Sequence, residues 1–318
     1  MTTSMKTHTF AGLDAQNPLG FLAALGLLRI LDDHARRRQQ PLPTLAFVDD
    51  GQQVAQIHSH LDLEAIKGLI LEDAVEQGQS RALRLAYDDH DFVAPDTPKA
   101  VRDLKPPPVV ARRHLISMQA APRREADLAA AFFSELVQDN NGNTKPTALH
   151  FTAGKQVFLT MVEALRRGVS DADIDEALQG PWTNTSQLPS LSWDATATRS
   201  YALRASDPAG ERRGSIGAAN WLAVHGLAFF TVVVERQRLK TTAVDGGWKD
   251  SVFTWPLWSL PATAATATAL LRCDARRWSS RARAASGISL VLQAGILRSD
   301  QGGYGSFTPS SVVPPSAT

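Results

Sequence analysis

The residues best suited to bind a polyanion lie near the end of the chain, where arginines cluster around a tryptophan. Arg276, Arg277, Arg281 and Arg283 surround Trp278 in the densest basic stretch of the sequence. A guanidinium group binds phosphate oxygens as a fork, and an indole ring stacks on nucleobases. This pattern predicts contacts with a nucleic-acid backbone, and the alternative interpretation is a solvated helix face.

A second candidate is a phosphate clamp at the start of a predicted helix. Arg212 and Arg213 precede Gly214, and the helix that follows contains Asn220. The free N–H groups at a helix N-terminus attract phosphate, so the two arginines and Asn220 join the set of candidate nucleic-acid-binding residues. An ordinary loop with solvated arginines is the alternative interpretation.

A third candidate is the tip of a predicted basic hairpin. Lys240 and Lys249 flank a Gly246-Gly247 turn and the adjacent Trp248. A basic hairpin tip of this kind can reach into a nucleic-acid groove. The remaining tryptophans of this part, Trp221, Trp255 and Trp258, are embedded among apolar residues, and we expect them in the core.

Residues that could act in catalysis are few. Asp88–Asp91, which include His90, form the only dense cluster of acids and imidazole, while His58 and His60 alternate on one face of a predicted strand. Such groups can hold Mg²⁺ or Mn²⁺, but a solvated turn before a proline-rich stretch is the stronger interpretation. Because nucleotide-binding and nucleophile motifs are lacking and Cys273 has no evident histidine partner, we expect no catalytic residue, metal or cofactor.

The charge of the chain is divided unevenly along its length. The 318 residues carry a net charge of +1, but residues 1–198 hold 19 basic against 25 acidic side chains, and residues 199–318 hold 14 against 7. All seven tryptophans lie from Trp182 onward. The sequence therefore predicts a basic, tryptophan-rich second part for nucleic acid and an acidic first part for protein partners.

Hydropathy and cysteine content set the expected environment of the protein. The mean hydropathy is −0.16, and no apolar run approaches the length of a membrane-spanning helix. The first ten residues lack the apolar core of a signal peptide. A single cysteine excludes an intramolecular disulfide framework. We expect a soluble, cytoplasmic protein with no membrane partner.

Local patterns predict an α+β fold of mixed helices and short antiparallel sheets. Such a fold is compatible with two closely packed subdomains. Asn17 and Pro18 should open a buried helix in which Gly20 and Gly26 permit close packing. Further expectations are a hairpin at residues 45–57 turning at Asp50-Gly51, a helix at 124–137, a capping box from Ser170 to Asp173, and strands at 252–258 and 288–297.

Composition shifts divide the chain into four parts. Residues 1–121 are expected to form an α+β unit with a long proline-rich loop, and residues 122–181 a helical middle segment. Residues 182–301 form the basic, tryptophan- and arginine-rich α+β unit, and residues 302–318 are a tail expected to be poorly ordered.

Several phrases of the sequence resemble a known family. They are Gly12-Leu13-Asp14, Asn17–Gly26, His150–Gly154, Ser192-Trp193-Asp194 with Arg199, Tyr201–Arg204 and Asp207-Pro208, Gly217–Ala223 and Thr254–Trp258. Together they resemble the CRISPR-associated proteins of type I-U (I-G) systems, as a component similar to the large subunit of the Cascade complex. The phrases span nearly the whole chain and are mostly apolar.

The resemblance implies a non-catalytic subunit that binds crRNA and target DNA. Within Cascade it would aid recognition of a short flanking motif and stabilise the R-loop in antiviral defence, beside other Cascade subunits and a recruited helicase-nuclease. Two alternatives remain open. One is an RNA-processing or metal-dependent nuclease component using His58, His60 or Asp88–Asp91, and the other is a scaffold that binds only protein subunits.

Overall fold

The computed structural model describes residues 4–85, 103–152, 156–196, 215–299 and 304–317. These parts contain ten α-helices and several small antiparallel sheets, which confirms the predicted α+β fold. The helices are α1 (Pro18–Arg37), α2 (Leu63–Glu76), α3 (Arg81–Arg84), α4 (Pro108–Met118), α5 (Arg123–Ala129), α6 (Phe158–Gly168), α7 (Asp171–Gln179), α8 (Gly217–Gly226), α9 (Ala264–Arg272) and α10 (Ser280–Ala285). The strands are β1 (Lys6–Asp14), β2 (Thr44–Asp49), β3 (Gln53–Ser59), β4 (Phe133–Gln138), β5 (Thr144–Pro146), β6 (Val232–Glu235), β7 (Arg238–Thr241), β8 (Val244–Asp245), β9 (Val252–Trp258), β10 (Ile288–Arg298), β11 (Gly305–Phe307) and β12 (Ser311–Val312).

Helix α1 is the centre of the molecule, and it begins as the sequence predicts. The Asn17 side chain accepts a hydrogen bond from the Leu19 N–H, and Pro18 occupies the first turn. Sixteen of the twenty residues of α1 are buried, so the helix is surrounded by protein on nearly every side. Arg36 and Arg37 lie in its last turn, where the partial negative charge of the helix favours cations.

Helix α8 packs so closely against α1 that the two backbones are in contact, which confirms the role expected for Gly26. All ten residues of α8 are buried. A Cβ at Gly26 would overlap the carbonyl oxygen of Leu222, and one at Gly226 would overlap the carbonyl oxygen of Leu22. The two helices therefore approach as closely as they do because each has a glycine at the crossing point.

Two antiparallel sheets lie against this helix pair. The first has the strand order β1-β3-β2 and contains the predicted hairpin, whose turn is made by Gly51 at φ +78°. The second has the order β11-β10-β9-β8, and β12 also pairs with β10. Strands β9 and β10 confirm the two strands predicted for this part, and the predicted capping box of α7 is present.

Buried indoles join the two sheets through backbone hydrogen bonds. Trp255 Nε1 donates to the Ala15 carbonyl oxygen at 2.9 Å, and Trp258 Nε1 donates to the Leu45 carbonyl oxygen at 2.7 Å. Trp221, Trp255 and Trp258 are at most 1% exposed, which confirms their predicted place in the core. Among the described residues, the main core cluster extends from Phe10 to Phe307 and includes residues of all four parts predicted from the sequence.

Two expectations from the sequence are wrong. The helix expected at 124–137 ends at Ala129, and residues 133–138 instead form β4, which pairs with β5. Residues 304–317 of the tail are structured, because β11 and β12 pair with β10 and the Ser316 N–H donates to the Trp278 carbonyl oxygen at 3.0 Å. Pairing with strands nearby along the chain decided both segments: β4 pairs with β5, and β11 and β12 pair with β10. Among the described helices, none combines the length and apolar character needed to cross a membrane.

Candidate nucleic-acid interface

Two adjoining cavities form an open cleft on one side of the molecule. Their volumes are about 750 Å³ and 410 Å³. Lys145 on β5, Trp248 in the β8–β9 connection and Arg298 at the end of β10 line both cavities, so these three residues lie between them. We call the combined feature, centred on these residues, the Trp248 cleft.

Cations dominate the lining of the Trp248 cleft. Its six basic side chains are those of Lys105, Lys145, Arg238, Lys240, Lys249 and Arg298. The acidic side chain in the lining is that of Asp139, whose carboxylate accepts hydrogen bonds from the Asn141 and Asn143 N–H groups and caps their turn. In the described part of the chain, Lys105, Lys145 and Arg238 have no carboxylate within ion-pair distance. The cleft therefore carries a positive potential suited to an anionic ligand.

Arg298 is the most firmly held of these cations. It donates to the His150 carbonyl oxygen at 2.7 Å and to the Ala148 carbonyl oxygen at 2.6 Å. Its guanidinium carbon lies 5.1 Å from the ring centre of Phe151 and 4.3 Å from that of Trp248. Burial lowers the pKa of Arg298 to about 10, so the group stays charged at neutral pH. Arg298 thus fixes one face of the Trp248 indole through a cation–π contact.

The segment that receives Arg298 is itself fixed by a buried histidine. His150 Nε2 lies 2.8 Å from a carboxylate oxygen of Asp103 and 2.9 Å from the Thr152 hydroxyl. Burial lowers the pKa of His150, which favours the neutral imidazole at neutral pH. His150 lies in the wall of the larger cavity with its side chain 3% exposed, and it orients the backbone carbonyls that Arg298 uses.

The structure brings the third predicted candidate together with residues that the sequence did not indicate. Lys240, Trp248 and Lys249 all line the Trp248 cleft. Lys145 and Arg298 reach the same cleft from β5 and β10, more than 150 residues apart in the chain. Only the pairing of distant segments places these two residues beside Trp248, so no local spacing could have revealed them.

The densest basic stretch is largely occupied by contacts within the protein. Arg276 pairs with Asp274 at 2.7 Å and with Asp245 at 2.5 Å, and Arg277 pairs with Asp274 at 2.9 Å. Trp278 is partly buried against a small apolar cluster. Arg281 is exposed. Much of the positive charge predicted to face phosphate is therefore balanced by two carboxylates.

Two predicted nucleic-acid contacts need correction because their side chains are buried. Arg283 is 6% exposed and donates to the carbonyl oxygens of Ala275, Arg276, Val313 and Pro314, which holds residues 313–314 against α10. Asn220 is 1% exposed. Its amide accepts from the Leu191 N–H and donates to the Ile216 carbonyl oxygen, both at 3.0 Å. Neither side chain can reach a ligand in this fold.

The remaining candidates from the sequence are two arginines, the Asp88–Asp91 cluster and two histidines. Arg212, Arg213 and Asp88–Asp91 lie outside the described residues. His58 lies on β3, where its Nδ1 is 3.1 Å from the Thr7 hydroxyl, and His60 follows the end of that strand. Within the described ranges, no three His, Cys, Asp or Glu side chains are grouped so that they could hold a metal ion.

Comparison with protein-family models and with curated proteins found no match to this chain.

Proposed function

We propose that this protein is a non-catalytic nucleic-acid-binding subunit of a type I-G crRNA-guided effector complex, and that it binds through the Trp248 cleft. The observation that carries the proposal is the combination of six basic side chains with a half-exposed indole in one cleft. Cations supply affinity for phosphates, and an aromatic face supplies contact with bases. The system itself is proposed from the sequence resemblance.

We favour this cleft over the basic surface around Trp278 because a smaller fraction of its cations is paired with carboxylates. Around Trp278, two arginines already pair with Asp245 and Asp274. An incoming phosphate there would compete with carboxylates for the same donors. In the Trp248 cleft, Lys240 lies 3.8 Å from a carboxylate oxygen of Glu235. Lys105, Lys145 and Arg238 are not paired with acids among the described residues, so binding phosphate costs these three no existing ion pair.

A binding measurement with charge-reversed variants tests the proposal. The probes are labelled single-stranded RNA, single-stranded DNA and duplex DNA, titrated at several salt concentrations with the full chain alone and with co-expressed partner subunits. Lys145→Glu and Lys240→Glu should each lower affinity about tenfold and flatten the salt dependence by about one counterion. Lys6→Glu is the matched control, because Lys6 is a half-exposed lysine on β1 outside the cleft.

The outcomes separate the proposed interface from the alternatives. Equal affinity and salt slope in the cleft variants and in Lys6→Glu would remove the Trp248 cleft from the proposal. Absence of binding to every probe at low salt, with and without partners, would support the scaffold alternative. Cleavage of RNA that depends on added Mn²⁺ would instead support the nuclease alternative.

A further inference from the structure

We propose that the Trp248 cleft selects single-stranded nucleic acid by stacking one unpaired base on the indole of Trp248. This inference rests on the proposed function and adds the form of ligand that the site takes. It depends on three features of the cleft: the fixed position of the indole, the arrangement of cations on both sides of it, and the polar lining beside it.

The Trp248 indole is both exposed and held in place. It is 50% exposed, whereas Trp193, Trp221, Trp255 and Trp258 are at most 1% exposed. Arg298 covers one face at 4.3 Å, and the turn that carries Trp248 is closed by a 2.8 Å hydrogen bond from the Gly247 N–H to the Asp250 carboxylate. An aromatic side chain fixed before the ligand arrives loses little conformational entropy on binding.

Cations lie on either side of this indole along the cleft. Lys105 lines the larger cavity, and Arg238 and Lys240 line the smaller one. Trp248 and Lys145 line both, with the lysine ammonium 5.8 Å from the indole centre. A strand that crosses from one cavity to the other therefore meets cations before, beside and after the aromatic ring, as a phosphate backbone with a base turned inward requires.

The larger cavity has the size and chemistry to receive a base. Its volume of about 750 Å³ lies within the range of sites that enclose small ligands. The side-chain amides of Gln138, Asn140 and Asn141 and the hydroxyl of Thr152 contribute donors and acceptors to its lining. A base pair inside a duplex keeps its faces stacked on its neighbours, so only an unpaired base can stack on the indole and reach these groups.

The test compares single strands of equal backbone charge, with and without bases, and adds a duplex. Twelve-residue oligomers of thymidylate, of uridylate and of abasic sites carry the same backbone charge, and a duplex of the same length supplies the paired form. The unmodified protein should bind the two base-containing strands about tenfold more tightly than the abasic strand, and the stronger of the two shows whether DNA or RNA is preferred. Trp248→Ala should remove this tenfold difference, while Trp248→Phe should retain most of it.

A fluorescence measurement with Trp248→Phe separates the loss of stacking from a loss of folded protein. Trp248 is half exposed, so Trp248→Phe should keep the melting temperature of the unmodified protein. Base-containing single strands should quench part of the tryptophan emission of the unmodified protein and leave that of Trp248→Phe unchanged. Equal affinity for base-containing and abasic strands, with Lys145→Glu still weakening both, would overturn this inference and leave the proposed function intact. No binding to any oligomer would overturn the proposed function itself.

Discussion

At the scale of single residues, buried histidines set how the folded state responds to acid. Burial lowers the pKa of His114, His150 and His225, and neighbouring arginines lower that of His225 further. For His114, burial and then the charge of Arg81 bring the pKa to about 4. The folded state therefore holds this imidazole neutral at pH values where the unfolded chain already binds a proton.

His114→Leu should make the free energy of unfolding less dependent on pH. Between pH 6.5 and 4 the unfolded chain binds more protons than the folded one, so the unmodified protein loses stability as the pH falls. The part due to His114 amounts to at most about 3 kcal/mol. Urea unfolding at pH 7, 5.5 and 4.5 measures it. The same loss of stability with pH in both proteins would contradict the assignment to His114.

Asn17 caps the N-terminus of α1 and also binds a residue far away in the sequence. Its side-chain oxygen accepts from the Leu19 N–H, and its amide donates to the Asp194 carboxylate at 2.7 Å. Asn17→Ala should lower the free energy of unfolding by about 2 kcal/mol, because it removes the cap and leaves a buried carboxylate with one donor fewer. Denaturant unfolding measures this. Ser170→Ala, which removes the exposed cap of α7, is the comparison and should cost about 1 kcal/mol.

The sequence indicated those residues whose role depends on their immediate neighbours. The cap at Asn17 and the basic turn at Trp248 follow from adjacent residue types, and both occur in the structure. The bond from Asn17 to Asp194 spans 177 residues, and Arg298 reaches Trp248 through the pairing of β10 with β9. Such contacts depend on how helices and strands pack in the folded protein, and this packing cannot be predicted from neighbouring residues in the sequence.

At the scale of elements, the crossing of α1 and α8 depends on two glycines. Gly26→Ala should lower the free energy of unfolding by about 3 kcal/mol or more, because its Cβ would overlap the Leu222 carbonyl and force the helices apart. Gly68→Ala in the exposed face of α2 is the matched control. Its Cβ would meet no atom within 4 Å, so alanine should stabilise the protein by about 0.5–1 kcal/mol through helix propensity.

Thermal melts of both variants measure the effect. A Gly26→Ala variant that melts with or above the unmodified protein would show that the two helices can separate without loss, and would contradict the described crossing.

Elements with a strong internal pattern were predictable, and those whose conformation is decided by strand pairing and tertiary contacts were not. Helix α1 and strands β9 and β10 carry long apolar runs, and α7 carries its capping box. Strand β4 follows directly after α5, and nothing in residues 133–138 breaks a helical pattern as proline or glycine would. Its pairing with β5 and contacts with α4 and β6 override the local preference.

At the scale of the whole molecule, the N-terminal elements and residues 217–258 stabilise each other. Helix α1 is covered by α8, and the Ala15 and Leu45 carbonyls accept their hydrogen bonds from Trp255 and Trp258. A fragment of residues 1–181 should therefore lack a cooperative thermal transition, whereas the full chain should unfold in one. Circular dichroism of both, with limited proteolysis, measures this. A sharp melt of the fragment would show that the first part folds alone.

The close contact of α1 with α8 also has a consequence during protein synthesis. Helix α1 leaves the ribosome with apolar side chains on nearly every side, and its partner follows about 190 residues later. At about 5–20 residues per second, this interval lasts roughly 10–40 s. During that time the nascent chain must keep one of its most apolar segments from other polypeptides, so the yield of folded protein should rise when a chaperone that holds nascent chains is supplied in excess.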